Sequence, residues 1–205
     1  MRTICISFLV FLVTLSSGAC ARPRRQGLVN RHRADLARLP DVRRIAILRI
    51  DPGPAPEKSV ELIQRTLRTM LTRRYEVVEF QPPRGGLVEP AGRILIDDLL
   101  LAREKLGADA VLAGEIINFR RHEPPAITMS LKLISTEDAT VLWAASGTVD
   151  AARPDVKKRI RDYYSRTQES GRDLFGWRTV LLAERRYIQF VANEFLLTIN
   201  PQRRP

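Results

Sequence analysis

The chain has 205 residues, with 34 Lys and Arg against 23 Asp and Glu and a formal net charge of +11. A hydrophobic fraction of 44% and a charged fraction of 28% exclude disordered and fibrous classes and suit one packed domain behind a short N-terminal leader. Two cysteines, Cys5 and Cys20, cannot build a disulfide framework, and two histidines, His32 and His122, leave little material for a metal site, so the composition weighs against an enzyme.

Residues 1–19 read as a signal peptide. Arg2 supplies the positive charge, Ile4 to Leu15 the apolar run, and Ser16-Ser17-Gly18-Ala19 the small residues beyond it. A membrane-crossing helix needs about 20 apolar residues, so the run is too short for a retained span. The ending Gly18-Ala19-Cys20 resembles the lipobox of bacterial lipoproteins, although Ser17 stands where that pattern has Leu. The resemblance implies a lipidated Cys20, carrying diacylglycerol and an acyl chain such as palmitate, as the mature N-terminus. Ala21 rather than Asp after it implies the periplasmic face of the outer membrane. The rival is ordinary cleavage at Ala19-Cys20-Ala21, which releases a soluble periplasmic chain beginning at Arg22.

Residues 20–44 follow as a basic tether, with eight Arg against two Asp between Ala21 and Arg44. Such a stretch is drawn to anionic headgroups or phosphorylated glycans, or is simply a solvated spacer. Nucleic acid fits the charge but not the export signal.

Residues 45–200 predict a single compact α/β domain: a mixed sheet of about five strands with helices packed on it, and residues 201–205 as a tail. Ile45 to Ile50 is a β-type run stopped by Asp51-Pro-Gly-Pro-Ala-Pro56. Val60, Ile63, Leu67 and Met70/Leu71 recur at steps of three and four, the stripe of an amphipathic helix. Tyr75 to Phe80 reads as a second strand, and Leu95 to Leu106 as a helix capped by Gly107. Ala110 to Phe119 is apolar on both faces in its first half and belongs at the centre of the sheet, with Val111, Leu112 and Ile116 buried. Ile127 to Leu133 alternates with polar residues. Val141 to Val149 follows a polar turn at Ser135 to Ala139, so residues 127–149 predict an antiparallel hairpin. In that last strand Val141, Trp143 and Ala145 share one face. Pro154 to Gln168 reads as a basic helix, and Val180 to Ile199 as one final helix with Ile188, Val191, Phe195 and Ile199 inward.

The stretch Leu106-Gly-Ala-Asp-Ala-Val-Leu-Ala-Gly-Glu115, then Ile127 to Ile134, then Ser135-Thr-Glu-Asp-Ala-Thr-Val-Leu-Trp143 resembles a group of bacterial envelope lipoproteins. The group includes the curli-secretion subunit, the lipoprotein activator of penicillin-binding proteins and the lipoprotein of Pel exopolysaccharide export. The similarity spans residues 45–150, and Asp138-Ala139 occupies the place of a Gly turn in many relatives. It implies a tethered envelope protein. Residues 151–180 have no counterpart in the pattern. On physical grounds Gly107 and Gly114 are a helix cap and a close-packing position, Asp109 binds backbone amides at the strand entrance, and Trp143 is a core aromatic.

No nucleophile, nucleotide or zinc motif occurs, so no catalytic residue, metal ligand or cofactor is assigned. His122 lies in a polar hairpin loop, Asp97 and Asp98 are about 100° apart on a helix, and Glu115 is a strand acid at the edge of an apolar run. Three functions follow. The first is a non-enzymatic binding or assembly factor for an envelope machine of polymer export, wall synthesis or secretion. The second is a subunit of an oligomeric secretion channel, which brings a homo-oligomer with it. The third is a soluble wall-polymer hydrolase. The partner is an envelope protein complex or an anionic glycan. Its candidate sites are Tyr164 and Trp177, beside the basic residues Lys157, Lys158, Arg159, Arg161 and Arg166, or the loop pair Arg120 and Arg121.

Overall fold

The computed structural model describes residues 28–32, 38–81, 96–122, 124–167 and 175–199. Its strands are β1 (Val29–His32), β2 (Arg44–Leu48), β3 (Glu76–Phe80), β4 (Ala110–Arg120), β5 (Ala126–Ser135) and β6 (Val141–Asp150). Its helices are α1 (Glu57–Leu71), α2 (Ile96–Leu106), α3 (Pro154–Thr167), α4 (Thr179–Leu182) and α5 (Glu184–Leu196). The strands form one mixed sheet in the order β1-β6-β5-β4-β2-β3. β2 runs parallel to β3 and β4, and the remaining pairs are antiparallel.

Alternation along the strands splits the core. Ile45, Ile47, Leu112, Ile116, Met129, Leu131 and Trp143 face the side covered by α1, α3 and α5. Ala46, Leu48, Val111 and Ala113 face the side covered by α2 through Leu99 and Ala102. β4 is central as expected, with Val111 1%, Leu112 2% and Ile116 2% exposed. An apolar run buried on both faces is what a strand covered by helices on each side requires.

Three elements differ from the sequence expectation. The sheet has a sixth strand, β1, inside the stretch read as a tether, and it pairs antiparallel with β6. Four residues with two charged or polar neighbours carry too little periodicity to mark an edge strand. In β6 the register passes from Leu133 opposite Trp143 to Ile134 opposite Val141, so Leu142 is an extra, bulged residue. The bulge reverses the alternation. Val141 therefore packs on the α2 side, whereas Leu142, Trp143 and Ala145 belong to the main core. The final helix is broken at Ala183, which is extended at φ −102°, ψ 109°. No Gly or Pro marks that break, so a periodic pattern runs through it.

The β5–β6 turn places Ala139 at φ +59°, the left-handed region that glycine favours. Asp138 compensates locally, accepting bonds from the Thr140 amide and hydroxyl at 3.2 and 2.9 Å. Arg38 clamps the turn from outside through Glu137 at 2.8 Å and through Asp138.

Candidate partner-binding surface

The motif residues are scaffold. Gly107 ends α2 at φ +59°, and its amide donates to the Arg103 carbonyl at 2.9 Å. Asp109 Oδ2 accepts from the amides of Arg43 and Arg44, both at 2.8 Å, and so ties the entrance of β2 to that of β4. Thr136 Oγ1 donates to the Ala108 carbonyl at 2.6 Å. A Cβ on Gly114 would lie 2.5 Å from Leu131 Cδ2 and 3.1 Å from the Ser130 carbonyl oxygen, so a side chain there would make Leu131 move. Trp143 is fully buried, and its indole Nε1 donates to Thr198 Oγ1 at 3.0 Å. Glu115 is half-buried on β4 opposite Ser130. A cleft of about 430 Å³ beside this stretch is lined by Arg38, Asp41, Arg103, Asp109, Ser135 and Glu137. A second of about 650 Å³ lies beyond the carboxyl ends of β2 and β3, where Arg49, Arg65 and Arg68 face Glu57, Glu61 and Glu79. Its charges pair internally, Arg49 with Glu57 at 2.7 Å and Arg68 with Glu79 at 2.5 Å.

The two arginines of the β4–β5 loop are both engaged. Arg120 donates to the Pro124 carbonyl at 2.7 Å and to Asp150 Oδ1 at 2.8 Å, closing the open end of the hairpin. Arg121 Nε meets Glu184 Oε2 at 2.8 Å. The other oxygen of Glu184 accepts from Ser59 Oγ at 2.5 Å, so one carboxylate joins the loop, α1 and α5. Nearby, the Tyr187 hydroxyl donates to the carbonyls of Val149 at 2.7 Å and Pro125 at 3.0 Å, and burial pushes its pKa far up. Arg121 still exposes 60% of its side chain. His122 is exposed beside it.

On the other side, α3 buries Val156 and Ile160 and leaves its basic residues outward. Tyr163 meets Phe190 edge-on at 5.5 Å between ring centres, and burial raises its pKa. Tyr164 and Trp177 are half-buried against the main core. Trp177 sits in a 3-10 turn at Gly176–Arg178, with the guanidinium of Arg161 4.6 Å and that of Arg178 5.7 Å from its ring centre. Such stacking is worth roughly 0.5–1 kcal/mol at an exposed site. It sets two cations against one ring. The basic helix is not uniformly free: Arg159 Nη1 pairs at 2.5 Å with Glu194, which is only 6% exposed.

The structure thus brings Tyr164, Trp177 and Arg161 onto one surface and places Arg120 and Arg121 at the β4–β5 loop. Cys20, the signal segment and Glu123 lie outside the described residues. Sequence reasoning missed Glu184 and Glu194. Glu194 was legible: it falls three residues after Val191 on the apolar stripe of α5, where a carboxylate demands a cation. Glu184 was not, because its partners Ser59 and Arg121 come from distant elements.

The molecule is an open, six-stranded mixed α/β sheet flanked by helices. No protein-family model and no curated protein matches the sequence. Among solved structures the chain is similar to the PelC dodecamer from Paraburkholderia phytofirmans, at 17% identity over 65% of this chain and 89% of that one, TM-score 0.45. It is similar to the lipoprotein GNA1162 from Neisseria meningitidis at 15% identity, 52% and 79% coverage, TM-score 0.38. It is also similar to the LpoB C-terminal domain from Salmonella enterica at 15% identity, 52% and 82% coverage, TM-score 0.36.

Proposed function

We propose that the chain is a non-enzymatic lipoprotein, anchored through Cys20 at the periplasmic face of the outer membrane, that binds and helps assemble a cell-envelope machine. Its main support is the use to which the motif's polar groups are put. Asp109, Thr136 and the Trp143 indole all hold backbone or core partners. Tyr164 and Trp177 are instead only partly covered by the core and lie among cations, a set of groups suited to recognition. The signal-like run ending in Gly18-Ala19-Cys20 supplies the address.

Capture of the envelope partner is assigned to Tyr164 and Trp177, with Arg120 and Arg121 as the competing site. Photo-crosslinkers placed beside these positions in the membrane-bound protein test this directly. The expected result is one envelope-protein adduct, lost in the Tyr164→Ala/Trp177→Ala double variant while its far-UV spectrum is retained. Loss only on replacing Arg120 and Arg121 moves the site to the loop. Turnover of wall polymer by the purified protein overturns the binding-factor reading altogether.

A further inference from the structure

Among the described residues, one apolar stripe on this surface stays largely in solvent. Phe175 is 61% and Leu182 57% exposed, at the two ends of the 3-10 turn and α4. At about 120° per 3-10 residue and 100° per α residue, Phe175, Arg178 and Leu182 fall within about 40° of one another around the helix axis. Trp177 packs toward the core, with the guanidinium of Arg161 over its ring at 4.6 Å and that of Arg178 at the longer distance of 5.7 Å. The outward stripe is therefore aromatic, cationic, aliphatic. Around it the charge is one-sided: residues 154–167 and 175–186 carry eight Lys and Arg against three Asp and Glu. Apolar side chains held in solvent within a basic surround are groups that a membrane interface favours.

Topology puts this stripe near the anchor. Leu28 leads into β1, where Val29 lies opposite Gly147, close to the end of β6. At that same end of the sheet Arg120 lies opposite Ala126, and Ala126 opposite Asp150. The next residue, Arg121, reaches Glu184, two positions after Leu182. The chain from the N-terminus therefore enters the domain at the end that carries α4. Seven residues separate Cys20 from Leu28, so an acyl group on Cys20 cannot lie more than about 30 Å of chain from the fold. A tether this short keeps the entry end of the domain close to the bilayer.

We propose that the Phe175–Arg178–Leu182 stripe seats this end of the domain on the anionic phospholipid leaflet that holds the Cys20 lipid, leaving Tyr164 and Trp177 for the protein partner. The orientation rests on the anchored-lipoprotein reading above. Phe175 and Leu182 enter the boundary between headgroups and acyl chains, and Arg178 with Arg185 pairs with lipid phosphates. Each Lys or Arg near an anionic surface is worth about fivefold in binding.

The test uses the full acylated protein in phosphatidylcholine vesicles with and without phosphatidylglycerol, labelled with an environment-sensitive fluorophore at Leu182→Cys or, at the opposite end of the sheet, at Thr140→Cys. Brominated lipid should quench the probe at 182, more strongly when phosphatidylglycerol is present, and leave the probe at 140 unchanged. Phe175→Ser with Arg178→Glu should abolish quenching at 182 while Cys20 keeps the protein on the vesicles. A retained protein whose probe at 182 is unquenched overturns the orientation alone. Shielding of that probe in native envelopes but not in lipid vesicles also overturns it and makes the occupant a protein. A chain that washes off and carries no acyl mass on Cys20 overturns the anchor, and the orientation with it.

Discussion

The pair Arg159–Glu194 is the perturbation whose outcome the structure specifies most closely. Glu194 is 6% exposed on α5 and Arg159 23% exposed on α3, with their charged atoms 2.5 Å apart. The two partners are unequally desolvated, so removing one is not equivalent to removing the other. Arg159→Met leaves a carboxylate nearly sealed in the core beside Phe190 and Phe195, and breaking a buried pair in this way costs about 3–5 kcal/mol. Glu194→Leu leaves a guanidinium that reaches water along α3, so its cost should be smaller, about 1–2 kcal/mol. Both changes preserve bulk, which keeps cavity formation out of the comparison. The double variant Arg159→Met/Glu194→Leu removes both charges and should recover most of the loss, since apolar replacement of a whole buried pair is often neutral. Urea denaturation with a common m-value measures all three. Equal, small shifts for the two single variants would refute the claim that the pair is buried and that it locks α3 to α5.

Two further outcomes follow from the loops. Gly53 has φ +49°, and a Cβ there would stand 1.9 Å from the Ile116 carbonyl oxygen, so Gly53→Ala must displace the loop whose Asp51 bonds to Gly114 and Ile116. A loss of more than about 2 kcal/mol is expected in the same urea assay. The Arg38 guanidinium and the Thr140 hydroxyl hold the Asp138 carboxyl well below the usual range. A depressed carboxylate stabilises the fold above its unfolded-state value near about 4 and loses that contribution as the pH falls through the lower folded value. Wild type should therefore lose more stability than Asp138→Asn between neutral and strongly acid pH, and parallel acid-denaturation curves would contradict the clamp.

Elements whose physics is local were legible. The proline and glycine loop after Ile50, the three-and-four spacing from Val60 to Leu71 and the glycine after Leu106 each fix a boundary from a few neighbouring residues. The helices end at Leu71 and Leu106 as expected, and the strand before the loop ends two residues early, at Leu48. Asp109 was readable for the same reason: an acid at a strand entrance bonds amides, and those of Arg43 and Arg44 are there. The bulge at Leu142 was not legible, because it is a property of the β5–β6 pairing and leaves no mark in the alternation of β6 read alone. Nor was the break at Ala183, where the apolar period runs on with no Gly or Pro to mark it.

The site divides along the same line. The sequence pointed to aromatic and cationic residues between 151 and 180, but their order does not say which of them point outward. Burial decides that. Arg159 is spent on Glu194, Arg161 covers Trp177, and Tyr163 packs on Phe190. Phe175 and Leu182 remain largely in solvent, 61% and 57% exposed. The edge strand β1 then matters beyond its four residues. Had the basic stretch run as a free tether to Arg44, the domain could sit well away from the membrane. With Val29 already paired to β6, only seven residues separate Leu28 from Cys20, so under the anchored reading proposed above the end of the domain nearest the bilayer is set by the fold rather than by a long flexible linker.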